Sequence, residues 1–189
     1  MYTQLYEHIR KYLPFTDADA AALEPYLYMK EVKRKEILLK PGQVCREHYF
    51  VKKGLVRMYL LDEKDTEKVT TFALENWWVT DNDSFITGKP SEYHMQAVEA
   101  SELIYIKAAE RDEMFKAVPA YESYTRMIAE RALVAYQRRV NFINMMSDEE
   151  RYRFFAESFP GFLQRVPQYM LASYLGFTPQ FMSRIRAKR

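Results

Sequence analysis

The stretch Val166-Pro-Gln-Tyr-Met-Leu-Ala-Ser-Tyr-Leu-Gly-Phe-Thr-Pro-Gln-Phe-Met-Ser-Arg-Ile-Arg186 reads as two short helices joined by a tight turn. Pro167 suits a first helical turn, where its missing N–H would be unpaired in any case. Leu171, Ala172 and Leu175 fall on one face, and Gly176 follows where the chain must turn sharply. Thr178 can cap a second helix with Pro179 at its first position. Phe181, Met182 and Ile185 give that helix an apolar side, and the small Ala172 lets the two helices approach closely. Leu171, Leu175, Phe177, Met182 and Ile185 would share one core. This is the spacing of a DNA-binding helix-turn-helix.

That packing leaves Gln180, Ser183 and Arg184 outward near the start of the second helix, with Arg186 and Lys188 beyond. Gln can pair with adenine and Arg with guanine through two hydrogen bonds, and Ser can bond a base or a phosphate. Arg186, Lys188 and Arg189 suit phosphate contacts, which position without specifying. The bland alternative is a helical hairpin with a basic surface. Charge argues against it. The formal net charge of +2 divides into +5 for Pro160–Arg189, which holds no acidic residue, and −3 for the rest. A basic end on a mildly acidic body is the footprint of a polyanion binder.

Upstream, the chain falls into three segments. Residues 1 to about 30 read as helical: Leu5, Ile9 and Tyr12 recur at helical spacing, and Thr16-Asp17-Ala18-Asp19 offers a second helix start after Pro14. From 31 to 107, short apolar runs recur about ten residues apart, separated by Pro41-Gly42, Lys53-Gly54, Asp62–Asp65 and Gly88-Lys89-Pro90. Val56-Arg57-Met58-Tyr59-Leu60 alternates. Many short, evenly spaced strands indicate an antiparallel roll, barrel or sandwich. From 108 the pattern is helical again. Pro119–Met146 has no glycine or internal proline and carries two apolar stripes. One is Tyr121, Tyr124, Ile128, Ala132 and Ala135; the other is Leu133, Tyr136, Val140 and Ile143. Two stripes give two surfaces to cover: one can pack on the helix's own domain and the other on a partner helix, and simple full burial would give the same pattern. Arg138 and Arg139 interrupt the stripes and are expected on the surface. Ser147-Asp148-Glu149-Glu150 forms a capping box for a new helix, expected to run to Phe159 and stop at Pro160-Gly161.

The expected fold is therefore α+β. Residues 1–118 form an antiparallel roll, barrel or sandwich with flanking helices, 119–146 a long helix, and 147–189 a helix-turn-helix domain.

Several classes are excluded. No apolar run reaches the about 18 residues of a membrane helix. The segment Met1–His8 has no basic stretch followed by an apolar core, so no secretory signal is expected. Cys45 is the single cysteine, which fits a reducing, cytoplasmic setting and cannot supply a four-thiolate cluster. His8, His48 and His94 are too few and too scattered for a metal site or for cupin-type chemistry, and nothing supports haem. The five glycines form no phosphate cradle.

The string Leu-Ala-Ser-Tyr-Leu-Gly-Phe-Thr-Pro-Gln-Phe-Met-Ser-Arg-Ile, with Ser147-Asp148-Glu149-Glu150-Arg151-Tyr152 before it, resembles the cyclic-AMP receptor protein/FNR superfamily of bacterial transcription regulators. The resemblance covers nearly the whole chain, including the turns at Pro41-Gly42 and Gly54. It implies a jelly-roll-type β-roll for 1–118, a connecting, dimerising long helix at 119–146, and a non-enzymatic homodimer joined through that helix, with duplex DNA and RNA polymerase as partners and two recognition helices in successive major grooves. By it, Gln180 and Arg184 fall at base-reading positions with Ser183 beside them. Pro179 stands where some members carry a base-reading arginine, so the operator is expected to differ.

The effector side departs from the pattern. Members that bind cyclic nucleotide carry a Gly-Glu pair and, further on, an Arg before a small residue. Here Gly-Glu becomes Thr80-Asp81 or Asp81-Asn82, and the arginine falls at Ser91, followed by Glu92. A buried phosphate without a cation is costly, and Asp81, Asp83 and Glu92 would add repulsion. Lys89 offers only a point charge. Cyclic AMP is therefore not expected to bind tightly, and no cofactor is implied. Trp77, Trp78, Phe85, Tyr93 and His94 could instead line an aromatic pocket for an uncharged or cationic effector, with Asp81, Asn82, Ser91 and Glu92 around it; the plainer reading is that they fill the roll. Two other functions remain open: a signalling or small-molecule-binding module without DNA binding, and an enzyme built on the roll. The sequence stops four residues after Ile185, so any wing precedes the motif or is absent.

Overall fold

The computed structural model describes residues 1–177 and Phe181. The chain opens with two short helices, α1 (Thr3–Arg10) and α2 (Asp17–Leu23). α2 begins at a complete capping box, Thr16 receiving the Asp19 N–H and Asp19 reaching back to Thr16. Eight strands follow: β1 (Tyr28–Val32), β2 (Ile37–Leu39), β3 (Glu47–Lys53), β4 (Val56–Leu61), β5 (Glu67–Ala73), β6 (Trp78–Val79), β7 (His94–Ala97) and β8 (Ser101–Lys107). A short α3 (Asn82–Thr87) separates β6 from β7. The strands form two four-stranded sheets, β1-β8-β3-β6 and β2-β7-β4-β5. This is the expected antiparallel roll.

The segment expected to be helical to about residue 30 ends earlier. β1 starts at Tyr28, because Tyr28–Val32 pairs antiparallel with Tyr105–Ser101 of β8. Local pattern favours a helix there, but a ladder to a distant strand decides.

The helices that continue the chain are α4 (Arg111–Ala117), α5 (Pro119–Met145), α6 (Asp148–Ser158), α7 (Pro160–Arg165) and α8 (Gln168–Leu175). α6 begins at the expected Ser147/Glu150 capping box. It ends before Phe159, and Pro160 does not merely stop it: the proline opens α7, where its fixed φ suits a first turn. Pro167 sits one place before α8 rather than inside its first turn, and its carbonyl accepts the Met170 and Leu171 N–H groups (3.0 and 3.1 Å).

The chain divides into two compact units. The first holds residues 1–58 and 72–130. It has two cores. One joins Leu5, Ile9 and Leu23 to Phe50, Ile104 and Tyr121. The other fills the roll with Val51, Val56, Ala73, Met95 and Leu103. Each fully buried Leu or Ile contributes about 1.5–3 kcal/mol through area removed from water. Gly54, at φ +105°, is required here, because a Cβ would lie 2.2 Å from Ser101 Oγ. The second unit holds residues 59–71, the body of the β4–β5 hairpin, together with 131–189. Arg151, Tyr152, Ala156, Phe162, Met170, Leu171, Ala172 and Leu175 are its buried residues on α6–α8.

Candidate nucleic-acid interface and effector cradle

α8 is the first helix of the expected helix-turn-helix. Its inward face is Leu171, Ala172 and Leu175, all buried, followed by buried Phe177. Gly176 takes the left-handed conformation (φ +83°), and the Phe177 N–H returns to the Ala172 carbonyl (2.9 Å), which closes the helix end. The Arg151 guanidinium, from α6, bonds Asp148 and lies 5.4 Å from the Phe177 ring, bracing this turn. Phe181 packs on Phe177 with ring centroids 5.5 Å apart. Gln168 and Tyr169, at the start of α8, are exposed. Thr178, Pro179, Gln180, Ser183, Arg184, Arg186 and Lys188 lie outside the described residues, as do Met182 and Ile185.

The long helix α5 separates its two stripes unevenly. Tyr121 and Tyr124 are buried and Ile128 packs against the first core. Further along the same stripe, Ala132 and Ala135 are exposed. From Leu133 onward the apolar side is uncovered, with Leu133 60%, Tyr136 52% and Val140 56% exposed. Arg138 is exposed, but Arg139 is not a free surface arginine. It donates to the carbonyl oxygens of Thr70 and Tyr174 and stacks on the Tyr174 ring. Sequence reading missed this because both carbonyls lie far along the chain.

The stretch from Thr80 to Tyr93 holds most of the expected effector residues. Asp81 is buried and caps α3 by accepting the Ser84 N–H. Ser84 Oγ accepts the Cys45 N–H (2.8 Å) and donates to the Lys89 carbonyl (2.6 Å). Cys45 Sγ meets Thr80 Oγ1 at 3.2 Å, and burial pushes its thiol up. Ser91 is buried; its N–H donates to the Gln43 carbonyl, its carbonyl accepts the Gly42 N–H, and its Oγ accepts the Tyr93 N–H. Asn82, Lys89 and Glu92 are exposed. The stretch is stitched together by its own polar groups, and its single lysine faces solvent.

Of the expected aromatic residues, Trp78 and Phe85 meet around His48, whereas Trp77 and Tyr93 lie apart from them. Trp77 is 49% exposed. Trp78 packs on Phe50 and Tyr121 in the first core, and its Nε1–H donates to Tyr124 Oη (2.8 Å). Tyr124 Oη also meets His8 Nδ1 at 2.7 Å. Trp78 can only donate, and the Tyr124 hydroxyl can either give its proton to His8 Nδ1 or accept from it, so the pair serves either tautomer of the neutral ring. Burial, with Lys11 nearby, holds the His8 pKa down accordingly. His48 sits edge-on to Trp78 and Phe85, and burial depresses its pKa to about 4. Tyr93 packs against the roll core. On β4, outside this stretch, Arg57 is buried and donates from Nε and one terminal nitrogen to Gln96 Oε1 (3.0 and 2.7 Å). Among the described residues no group of His, Cys, Asp and Glu could hold a metal ion. None of the described helices is long and apolar enough to cross a membrane.

Residues 29–117 match the family described as Cyclic nucleotide-binding domain. Comparison with curated proteins gives no match. Among solved structures, the chain is similar to the c-di-GMP-responsive global regulator CLP of Xanthomonas campestris, at 15% identity over 92% of this chain and 91% of that one, with a TM-score of 0.75. It is similar to FixK2 of Bradyrhizobium japonicum at 15% identity, 86% and 83% coverage and a TM-score of 0.71. The catabolite activator protein of Thermus thermophilus gives 14% identity, 96% and 85% coverage and a TM-score of 0.59. These likenesses establish the fold.

Proposed function

We propose, for a chain whose residues 29–117 match the cyclic nucleotide-binding domain family, that it is a homodimeric, sequence-specific, duplex-DNA-binding transcription regulator. The observation that carries this reading is the Gly176 turn. It closes α8 over a buried Leu171/Ala172/Leu175/Phe177 face directly before a run of basic and amide side chains with no acid among them. Gln180, Ser183 and Arg184 read bases; Arg186 and Lys188 hold phosphates. The uncovered Leu133/Tyr136/Val140 side of α5 takes the same helix of a second copy. The reading implies RNA polymerase as a further partner, a cytoplasmic setting and no enzymatic activity. CLP and the catabolite activator are described as a regulator and an activator, which supports the same direction.

The effector side is proposed to have lost cyclic AMP as a tight ligand. Ser91 stands where a cation would face the cyclic phosphate, and its backbone and hydroxyl groups are engaged within the chain. Any small-molecule effector would have to be recognised by another chemistry.

The test is a duplex-DNA titration across salt concentration. Binding should fall steeply as salt rises, with a log–log slope of about −0.9 for each phosphate neutralised. Selection from a random pool should return a two-fold-symmetric site, and Arg184→Ala should flatten the preference at one base position by about 1–3 kcal/mol. Absence of duplex binding at low salt overturns the reading. Calorimetric titration with cyclic AMP should show no heat of binding at micromolar concentrations; a micromolar complex would overturn the effector statement alone.

A further inference from the structure

The second compact unit contains a piece of the roll. Residues 59–71 of the β4–β5 hairpin belong with 131–189, although both flanking stretches belong to the first unit. Three side-chain links account for this. The Val69 N–H donates to Ser173 Oγ (2.9 Å), and the Ser173 hydroxyl donates to the Glu67 carbonyl (2.8 Å). One serine of α8 thus takes a donor and an acceptor from the main chain of β5, which a ladder strand would otherwise supply. Arg139 of α5 bonds the Thr70 carbonyl on one side and the Tyr174 carbonyl (3.0 Å) on the other, with its guanidinium 4.1 Å from the Tyr174 ring centroid. Thr71 Oγ1 and Tyr136 Oη, 3.4 Å apart, extend the same line of contact. Beyond the strand, the Asp62 carboxylate accepts the Lys64 and Thr66 N–H groups (both 2.9 Å), which closes the hairpin tip. The hairpin therefore has a self-supported turn, and its β5 arm is tied at three consecutive places.

The contact uses only one end of α8. Ser173 and Tyr174 are half-buried beneath the hairpin, while Gln168 and Tyr169 remain exposed at the opposite end. The hairpin braces α8 without covering its opening turn.

The geometry points to a latch: Ser173 and Arg139 fasten the β4–β5 hairpin of the roll to the first helix of the helix-turn-helix, and so act as positioning residues for DNA binding. This rests on the function proposed above and deepens it by naming the joint. β5 continues into the roll at Phe72, and β4 enters the hairpin from Arg57 and Met58 in the roll. A rearrangement within the roll thus has a covalent route to the hairpin, and the latch carries it to α8. An arginine bridging two carbonyls and stacked on a ring has a defined orientation, which a lysine would not reproduce.

The test compares the full-length wild type with Ser173→Ala, Ser173→Thr and Arg139→Gln. Amide hydrogen exchange is followed without DNA, and affinity for the duplex that the wild type selects from a random pool is followed across salt. Ser173→Ala should strip protection from the Val69 amide while the β3 and β8 amides keep theirs. It should weaken DNA binding about fivefold, the value of one net hydrogen bond of about 1 kcal/mol. Ser173→Thr, which keeps the hydroxyl, should restore both. Arg139→Gln should weaken binding about tenfold with an unchanged salt slope. A slope reduced by about 0.9 would make Arg139 a phosphate contact instead and overturn the latch. Unchanged Val69 exchange in Ser173→Ala, or affinity equal to or above wild type in both loss variants, would also overturn it. If Ser173→Ala loses protection throughout the molecule, Arg139→Gln decides by the same criteria. Absence of DNA binding by the wild type itself marks failure of the function reading, and the Val69 amide still decides whether the hairpin is fastened.

Discussion

The roll's α3 region and the far half of α5 handle their surface groups in opposite ways. From Thr80 to Tyr93, Asp81, Ser84 and Ser91 turn inward and satisfy neighbouring backbone groups. From Leu133 to Met146, large apolar side chains stand in solvent on a helix whose earlier turns are buried. A site whose polar groups bond each other is already paired and gains less from an incoming ligand. A helix that presents Leu, Tyr and Val to water gains free energy from any matching surface. The contrast supports the proposal that the long helix, rather than the α3 region of the roll, carries the contact with a second copy.

The most forceful way to break that contrast is to make the helix stripe repel a partner. Leu133→Glu combined with Val140→Glu should convert the proposed dimer to a monomer in sedimentation. DNA affinity should fall by about 10²–10⁴-fold, because binding of the second half-site is no longer intramolecular. A dimer that survives both charges would place the seam elsewhere.

The next largest effect probes the roll. Gly54→Ala forces a side chain to φ +105° and onto Ser101 Oγ, and should lower thermal stability by about 3 kcal/mol. Ser101→Gly in the same chain should return only the steric share and leave the conformational share, because the two residues are in contact. Additive losses would show that the close approach is not what requires glycine.

A pH titration sharpens the comparison further. His48 has a folded pKa of about 4 against an ordinary 6.5, so its neutral form is the one that fits between Trp78 and Phe85. The stability it confers is complete above pH 6.5. It declines as pH falls toward 4, because the unfolded chain takes up the proton first. His8, also depressed, changes in the same direction. The loss should be on the order of 2 kcal/mol, and His48→Phe should flatten it in melting curves recorded from pH 7 to pH 4. An unaltered pH profile in His48→Phe would remove the ring from the account.

The smallest effect concerns the C-terminal unit alone. Ser147→Ala removes one half of the α6 capping box and should cost about 1 kcal/mol, seen as faster exchange of the first α6 amides with no change in β3 or β8. Faster exchange in the roll as well would show that the two units do not melt independently.

Much of this was legible along the chain. Thr16 with Asp19, and Ser147 with Glu150, announce helix starts because a cap is completed within three residues. Gly176 announces the turn because its left-handed φ is a local requirement. The strands of the roll follow from alternation and turn residues, and six of the eight fall on the short apolar runs between turn signals; β6, two residues long, shows no such pattern. β1 was read as helix because its ladder partner is β8. Ala132 and Ala135 share a stripe with buried Tyr121 and Tyr124 yet are exposed, because periodicity tells which residues share a face, not what covers it. Arg139 looked like a surface break, since both carbonyls it bonds lie far along the chain. The Cys45–Thr80–Ser84 links were equally invisible, because they join β3's approach to the turn before α3.

The sequence by itself determined the kinds of local structure, the separation of a basic end from an acidic body, and the absence of an arginine where the family pattern has one. Each of these depends on residues within a few positions of one another, where propensity, capping and charge act directly. Only the tertiary structure decided that Asp81 and Ser91 turn inward, that the far half of α5 is bare, and that Ser173 fastens a strand 104 residues away. Those outcomes depend on which backbone groups and side chains long-range pairing brings within hydrogen-bonding distance.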